Sequence, residues 1–220
     1  MNKIVVGSSF LILLAAMAAF GQPKPITQKE YEDALQHAAD MGISYPMIEK
    51  IEEEKFRDSR QIEKATFSTE YVSEDKVRAT MQIVSGGKTT NLSEIGLGIG
   101  KIYCKVGDGK WKLESESKSA ECHDAWNLIP TPSRSGPEDG VTYTSEDQTV
   151  GGQRVTAFRK YVVYGGKQTF LEQITTVDSK GFITIATATQ GTLDPRTVTV
   201  TVKVSWTSNA KIAPIIKPKE

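Results

Sequence analysis

The sequence predicts an α+β protein that is mainly antiparallel β. The expected architecture is a curved sheet or unclosed β-barrel of about eight or more strands, with an N-terminal helix covering its concave face. The first observation is a single stretch with helical apolar spacing, close to the N-terminus. The second is a change to alternating spacing from about residue 62 onward, with glycine-rich or Asp/Ser turns between the runs. The third is that these runs are apolar on one face only, which is typical of an antiparallel sheet covered on one side.

The chain begins with the features of an export signal. Lys3 supplies a positive charge, residues 10–20 form an uninterrupted apolar run, and the small residues Ala19 and Gly21 fit a cleavage site before Gln22. The alternative is a membrane anchor, but a spanning helix needs roughly 20 apolar residues and this run is shorter. Cleavage is therefore the preferred interpretation.

Removal of the signal peptide, residues 1–21, leaves residues 22–220 as a single β-rich domain. The mature chain then carries 26 basic residues against 27 acidic residues. This balance argues against nucleic acid as a partner, because phosphate neutralisation needs an excess of Lys and Arg. We expect a periplasmic or extracellular monomer with no stable membrane anchor.

The two cysteines, Cys104 and Cys122, are predicted to form a disulfide, because paired cysteines in an oxidising compartment usually bond. The alternative is a reactive thiol, since His123 and Asp124 follow Cys122 directly. Catalytic triads are assembled from separate segments, and neighbouring residues point in different directions. The disulfide is therefore favoured over thiol catalysis.

The first predicted element of the mature chain is a helix that starts at Thr27, where Thr27 and Glu30 form a capping box. Gly42 is expected to end it. One buried face is predicted by the spacing of four apolar residues: Tyr31, Ala34, Leu35 and Ala38. A second short helix is expected from Pro46 to Phe56, where a Glu/Lys run would form a solvated face.

The predicted strands follow in two groups. The first group comprises alternating runs from Ala65 to Tyr71, from Val77 to Ile83, from Ile102 to Val106 and at Trp111 to Leu113. The second is an antiparallel meander with strands near 141–147, 153–164, 168–178, 182–190 and 196–206. In its last strand, one face should carry Val198, Val200, Val202, Val204 and Trp206. Residues 115–140 are predicted to form a long surface loop between the groups, a candidate lid that the disulfide would tie to the sheet.

No catalytic or cofactor site is predicted. His37 and His123 are not at metal-ligand spacing, and Cys-x-x-Cys is absent from the sequence. The glycine-rich run 96–100 lacks the remainder of a dinucleotide or phosphate fingerprint, so a strand edge or bulge is the preferred interpretation. We therefore expect no catalytic residues, no metal and no cofactor.

The apolar face of the sheet is the main functional candidate. Such a face is larger than one helix can cover, and a groove along it would suit an acyl chain or another hydrophobic ligand. The candidate cavity residues are Phe67, Met81, Ile83, Phe158, Phe170, Ile174, Val200 and Trp206. The alternative, that these side chains simply fill a core, is equally compatible with the sequence.

The layout also resembles a known family, the bacterial periplasmic lipoprotein-sorting carriers. The resemblance covers most of the mature chain and rests on a strand–turn pattern at 105–111, on the stretches 152–160 and 177–183, and on the ending 204–214. It implies an unclosed barrel with a helical lid and a cavity for acyl chains. The long loop tied by cysteine departs from the family, and no signature cavity residue is matched.

These observations favour a non-catalytic exported protein that binds or carries a hydrophobic ligand, such as a lipid or a lipoprotein acyl chain. The alternative is a secreted interaction or structural module that uses its sheet edges or the 115–140 loop. An enzyme is the least supported hypothesis, because the sequence contains no catalytic constellation.

Overall fold

In a computed structural model of the chain, residues 22–42, 44–98, 100–113 and 137–219 are described. They form one helix, α1 (Gln28–Asp40), and twelve strands. The N-terminal strands are β1 (Lys24–Pro25), β2 (Met47–Arg57), β3 (Arg60–Ser73), β4 (Lys76–Ser85), β5 (Lys88–Leu97), β6 (Ile102–Val106) and β7 (Lys112–Leu113). The C-terminal strands are β8 (Glu138–Val150), β9 (Gln153–Tyr164), β10 (Thr169–Asp178), β11 (Ile183–Leu193) and β12 (Arg196–Ser208).

All twelve strands belong to one sheet, in the order β1-β8-β9-β10-β11-β12-β2-β3-β4-β5-β6-β7. Every pairing is antiparallel. The two-residue strands β1 and β7 lie at opposite edges and do not pair with each other, so the curved sheet is unclosed. The mainly antiparallel fold with an unclosed curved sheet is confirmed.

The main core lies on one face of the sheet, which we call the core face. Register-paired residues share a face because side chains alternate along each strand. The core face carries a buried cluster from neighbouring strands: Ile51, Ala65, Phe67, Met81, Leu92, Cys104 and Val202. The expected one-sided apolar surface is therefore present across β12 and β2–β4, whereas β5 and β6 carry buried apolar residues on both faces.

The opposite face of β2–β4 is charged. Lys64 Nζ lies 3.0 Å from Glu54 Oε1 across the β2–β3 pair, and Arg78 pairs with Glu70 across β3–β4. These side chains are partly exposed, and exposed ion pairs contribute little to stability. Their main effect is to keep this face soluble and to fix the strand register.

The predicted helix from Pro46 to Phe56 is wrong, because this segment is strand β2. β2 lies in the middle of the sheet, where its backbone forms hydrogen bonds with β12 on one side and with β3 on the other. Glu and Lys favour helices in isolation, but pairing with two long strands outweighs that preference. Ile48 and Ile51, which helical spacing would place on one side, point to opposite faces of the sheet.

The predicted alternation of β12 is interrupted at one residue. The register with β11 shifts between Gln190 and Gly191. Gln190 pairs with Val200 and Gly191 with Val198, so Thr199 has no register partner on β11. The Thr199 hydroxyl donates a hydrogen bond to the Gln190 carbonyl at 3.1 Å. Beyond this β-bulge Val198 pairs with Gly191 and lies on the face opposite Val200, so the expected single valine stripe is wrong at Val198.

A second apolar cluster lies on the opposite face, near the β7 edge. Ile95 and Tyr103 are covered there by Ile215 from the C-terminal tail, which follows β12 without regular secondary structure. Lys217 Nζ lies 5.5 Å from the centroid of the Tyr103 ring. The tail therefore folds back and shields the β5–β6 end of the sheet from water.

Helix α1 has the predicted cap: Glu30 N–H donates to Thr27 Oγ1 at 3.2 Å, and Thr27 N–H donates to Glu30 Oε2 at 2.7 Å. Near its start the Tyr31 ring lies 5.1 Å from the Tyr143 ring of β8. At its other end, Met41 lies against the β10–β11 turn at Gly181. The helix thus lies against the sheet at both of its ends.

Several predictions concern residues outside the described ranges. They are the signal peptide 1–21, Cys122, and all of the 115–140 loop up to residue 136. The last residues of that loop belong to a strand, since β8 begins at Glu138. Cys104 is 1% exposed within the core cluster, and its bond to Cys122 stays a prediction.

Within the described ranges, no helix has the length and apolar character needed to cross a membrane.

Candidate functional site

Two adjacent rows of register-paired residues cross the core face near one end of the strands, and we call them the rim rows. The outer row is Ser208, Met47, Tyr71, Val77, Gly96 and Ile102. The inner row is Trp206, Glu49, Thr69, Ala79, Glu94 and Cys104. Each row runs from β12 to β6, so it extends about 24 Å at the usual spacing between neighbouring strands.

The larger cavity on the rim rows, which we call the groove, has a volume of about 670 Å³. This volume is in the range of small-molecule sites, roughly 300–1,000 Å³. Its floor is made of small or branched apolar residues from β4–β6, namely Val77, Ala79, Gly96 and Ile102. Its polar groups are Glu94 on the floor and residues 73–75 of the β3–β4 turn.

The smaller cavity, which we call the helix pocket, has a volume of about 240 Å³ and lies at the other end of the rim rows. Ala38 and Ala39 of helix α1 form one wall, and Met47 and Trp206 of the rim rows form another. Phe182, Ile183, Gly42, Ser44 and Ser208 complete the lining. The C-terminal half of the helix therefore encloses apolar space next to the sheet.

A hydrogen-bonded group of side chains separates the two cavities. The Glu49 carboxylate accepts a hydrogen bond from Trp206 Nε1 at 2.9 Å and another from the Tyr71 hydroxyl at 3.2 Å. Burial of the Tyr71 ring, together with the nearby Glu49 charge, raises the pKa of Tyr71 to about 12. Tyr71 consequently stays protonated and donates to Glu49 throughout the physiological range.

The core face also holds carboxylates among its apolar side chains. Glu53 is 3% exposed, and its nearest cation, Lys55 Nζ, lies 3.6 Å from Oε1. Burial raises the pKa of Glu53 above its ordinary value of 4.5 because a charged carboxylate loses hydration there. The nearby Lys55 opposes this change without cancelling it.

We expect the substitution Glu53→Gln to raise the melting temperature at neutral pH. Below the ordinary pKa of 4.5, Glu53 is protonated in both the folded and the unfolded chain, so its charge has no influence. As the pH rises further, the unfolded chain ionises more readily, and the folded state loses relative stability. The advantage of Glu53→Gln in thermal unfolding should therefore vanish in acid; an advantage that is constant with pH would contradict this assignment.

Six of the eight predicted cavity residues share the core face: Phe67, Met81, Ile83, Phe158, Val200 and Trp206. Phe170 and Ile174 lie on the opposite face, because they alternate with the core-face residues Leu171 and Thr175 along β10. Of the eight, Trp206 lines a described cavity. Phe67 and Met81 belong to the packed core cluster below the rim rows.

The sequence interpretation missed the residues that form the groove. Val77 and Ala79 were recognised as one face of a strand, but their small size did not mark them as a cavity floor. Gly96 was assigned to a strand edge or bulge, whereas it is paired within β5 and its missing side chain leaves space above the sheet. Glu49 lies in the segment that was predicted to be helical, so it was not considered as a residue of the sheet. Alternation in a strand-paired β2 would have placed Glu49 beside Met47 and Ile51.

The described residues contain no group of three or more His, Cys, Asp or Glu side chains that could hold a metal ion. His37 lies on the exposed side of helix α1, beside the Gly181 turn. The rim rows instead offer an apolar floor, a tyrosine hydroxyl, an indole N–H and carboxylates. This arrangement is suited to holding an apolar molecule and orienting one polar end.

Comparisons with known proteins do not identify a family for this chain. No protein-family model matches the chain, and no curated protein matches it. A solved structure described as a putative outer membrane lipoprotein-sorting protein domain from Vibrio parahaemolyticus aligns over 85% of this chain and 95% of that chain, with 9% sequence identity and a TM-score of 0.29. At this TM-score, the similarity supports neither a fold assignment nor a function.

Proposed function

We propose that the protein binds or carries a hydrophobic ligand, such as a lipid or a lipoprotein acyl chain, along the rim rows of its core face. The observation that carries this proposal is the groove of about 670 Å³ over Val77, Ala79, Gly96 and Ile102. Protein interiors are normally packed without such spaces. An apolar floor that is left open to this extent is better suited to binding a guest than to stabilising the fold.

The distribution of side-chain size along the rim rows supports the same proposal. Gly96 and Ala79 occupy positions where larger apolar residues would fill the space and bury more surface. Deeper on the same face, the paired positions hold Phe67, Met81 and Leu92, which are packed against one another. The small residues are thus concentrated where the groove lies.

Helix α1 has a role in this proposal as a partial cover of the site. Ala38 and Ala39 have short side chains, and they line the helix pocket together with Met47 and Trp206 of the sheet. A ligand extending from the groove could place its far end there. The predicted export signal at residues 1–21 is part of the proposal: the protein would act in the periplasm or outside the cell, as a non-catalytic carrier.

The direct test is to purify the mature protein from the compartment to which it is exported and to analyse it by native mass spectrometry and organic extraction. We expect a bound lipid or other apolar molecule at close to equimolar amount. A periplasmic protein of similar size, purified in parallel, controls for carry-over. Recovery of no more lipid than from that control would contradict the proposal.

A second candidate function is protein interaction through a sheet edge. Strand β1 pairs with β8 at two positions, Ser145 and Thr144, and in the described part of the chain no strand pairs with the outer side of residues 146–150. An exposed strand edge can accept a strand from another chain. Concentration-dependent association that is lost on substituting proline into this edge would favour this function.

A further inference from the structure

We infer that the rim rows select amphiphiles with a cationic head group, such as an amine or a quaternary ammonium, over amphiphiles with an anionic head. This inference rests on the proposed function and specifies the chemistry of its ligand. It is carried by the group that separates the two cavities, Glu49 with its aromatic neighbours, and by the charges that line the cavities.

The first step concerns the charge of Glu49. Its carboxylate is held by two neutral donors, Trp206 Nε1 and the Tyr71 hydroxyl, at 2.9 and 3.2 Å. Neutral donors position a carboxylate without cancelling its charge. Among the ion pairs of the described residues, none involves Glu49. A fixed negative charge therefore lies within the rim rows, half-buried and accessible from the surface.

The second step concerns the aromatic rings around this charge. Tyr71 and Trp206 both contact Glu49 through hydrogen bonds, and the Tyr45 ring lies 6.3 Å from the Tyr71 ring in a tilted arrangement. Tyr45 is 37% exposed, so its ring is accessible to a ligand. Aromatic faces attract cations, and quaternary ammonium groups are commonly recognised by cages of several aromatic rings.

The third step concerns the lining of the two cavities. The groove contains three carboxylates, Glu74, Asp75 and Glu94, and the helix pocket contains no charged residue. Lys and Arg are absent from both described linings. An anionic head group would therefore meet like charge at Glu74 and Asp75, whereas a cationic head group would be attracted.

The test compares three amphiphiles that each have a chain of twelve carbons, counting the carboxyl carbon of the acid: dodecyltrimethylammonium, dodecyl maltoside and dodecanoate. Each is titrated below its micelle concentration by calorimetry, while circular dichroism verifies that the protein stays folded. We expect dodecyltrimethylammonium to bind about tenfold more tightly than dodecyl maltoside, which corresponds to about 1.4 kcal/mol. Dodecanoate should bind most weakly, and added salt should reduce the difference between the charged ligands.

Two variants locate the preference. Glu49→Gln removes the charge and keeps an oxygen that can accept from Trp206, so dodecyltrimethylammonium should lose its advantage over dodecyl maltoside. Glu52→Gln makes the same change in net charge on the opposite face of β2 and should leave the preference intact.

The outcomes separate this inference from the function on which it rests. Dodecyl maltoside binding without a cation preference, or a preference that survives Glu49→Gln, would overturn the inference alone. Failure of all three amphiphiles to bind would overturn the proposed function as well.

Discussion

The substitution Gly96→Leu is expected to reduce binding of a neutral amphiphile such as dodecyl maltoside at least tenfold, by roughly 1.4 kcal/mol or more, without destabilising the fold. Gly96 lies on the floor of the groove, between its register partners Val77 on β4 and Ile102 on β6. A leucine side chain there would occupy the space that the ligand needs.

The expected stability makes this substitution informative. A Cβ atom added at Gly96 would meet only the Val77 Cβ within 4 Å, at 3.9 Å, which is an ordinary van der Waals distance. Glycine within a strand costs about 0.5–1 kcal/mol relative to alanine, because it loses more backbone freedom on folding. Thermal unfolding of Gly96→Leu should therefore occur at the same temperature as the original protein or higher, while calorimetry shows the loss of binding.

The matched control is Thr80→Leu. Thr80 is exposed on the opposite face of β4, beside the strand that carries Gly96. This substitution adds a leucine to the same region of the sheet without entering the groove, so binding should be unchanged. Equal binding by Gly96→Leu and the original protein would show that the groove is not the ligand site.

The substitution Phe170→Ala is expected to lower the free energy of unfolding by about 3–5 kcal/mol, the usual cost of removing a buried phenylalanine side chain. Phe170 is 1% exposed although it lies on the face opposite the main core. Its ring packs over Gly191 of β11, stacks on Tyr161 at 5.8 Å, and has the Arg196 guanidinium 4.8 Å from its centroid. Single domains have a total stability of roughly 5–15 kcal/mol, so the loss is large.

Chemical denaturation measures this effect, and Phe56→Ala is the control. Phe56 is a half-buried phenylalanine at the end of β2, where the register with β3 shifts. Its removal should cost less than half as much as the removal of Phe170. Similar losses from the two substitutions would contradict the account of Phe170 as a buried ring packed against Gly191 and Tyr161 on this face.

The fold could be predicted from the sequence wherever local signals agreed with tertiary pairing. The capping box at Thr27 and Glu30 marked the start of helix α1, because a cap is formed by residues a few positions apart. One of the expected glycine-rich turns lies at Gly151 and Gly152, where both residues have positive φ, at 58° and 82°, which glycine adopts without strain. The β8–β9 hairpin around this turn followed directly.

Prediction failed where the outcome depended on distant parts of the chain. Strand β2 was taken for a helix because its Glu/Lys run has helical propensity, while its partner β12 comes almost 150 residues later. The bulge at Thr199 leaves no local signal, yet it moves Val198 to the other face. The register of β10 with β9 and β11 decides which face its residues occupy, and the sequence does not show this register. Phe170 and Ile174 were therefore grouped with residues of the core face.

The position of the groove could not be predicted from the sequence. Alternation identified an apolar face, and large apolar residues were chosen as its binding surface. Large residues fill a core, whereas a cavity forms where side chains are small, as at Ala79 and Gly96. Which small residues meet across the three neighbouring strands β4–β6 depends on register, and register is a property of the assembled sheet.

The most direct test of ligand binding on the rim rows is a methyl and amide NMR titration of the isotope-labelled protein with dodecyl maltoside. We expect saturable shifts at Val77, Ala79 and Ile102 on the core face, and no shifts at Thr80 and Gln82, which lie on the opposite face of β4. Shifts confined to the opposite face, or the absence of saturable shifts at these three residues, would contradict the account.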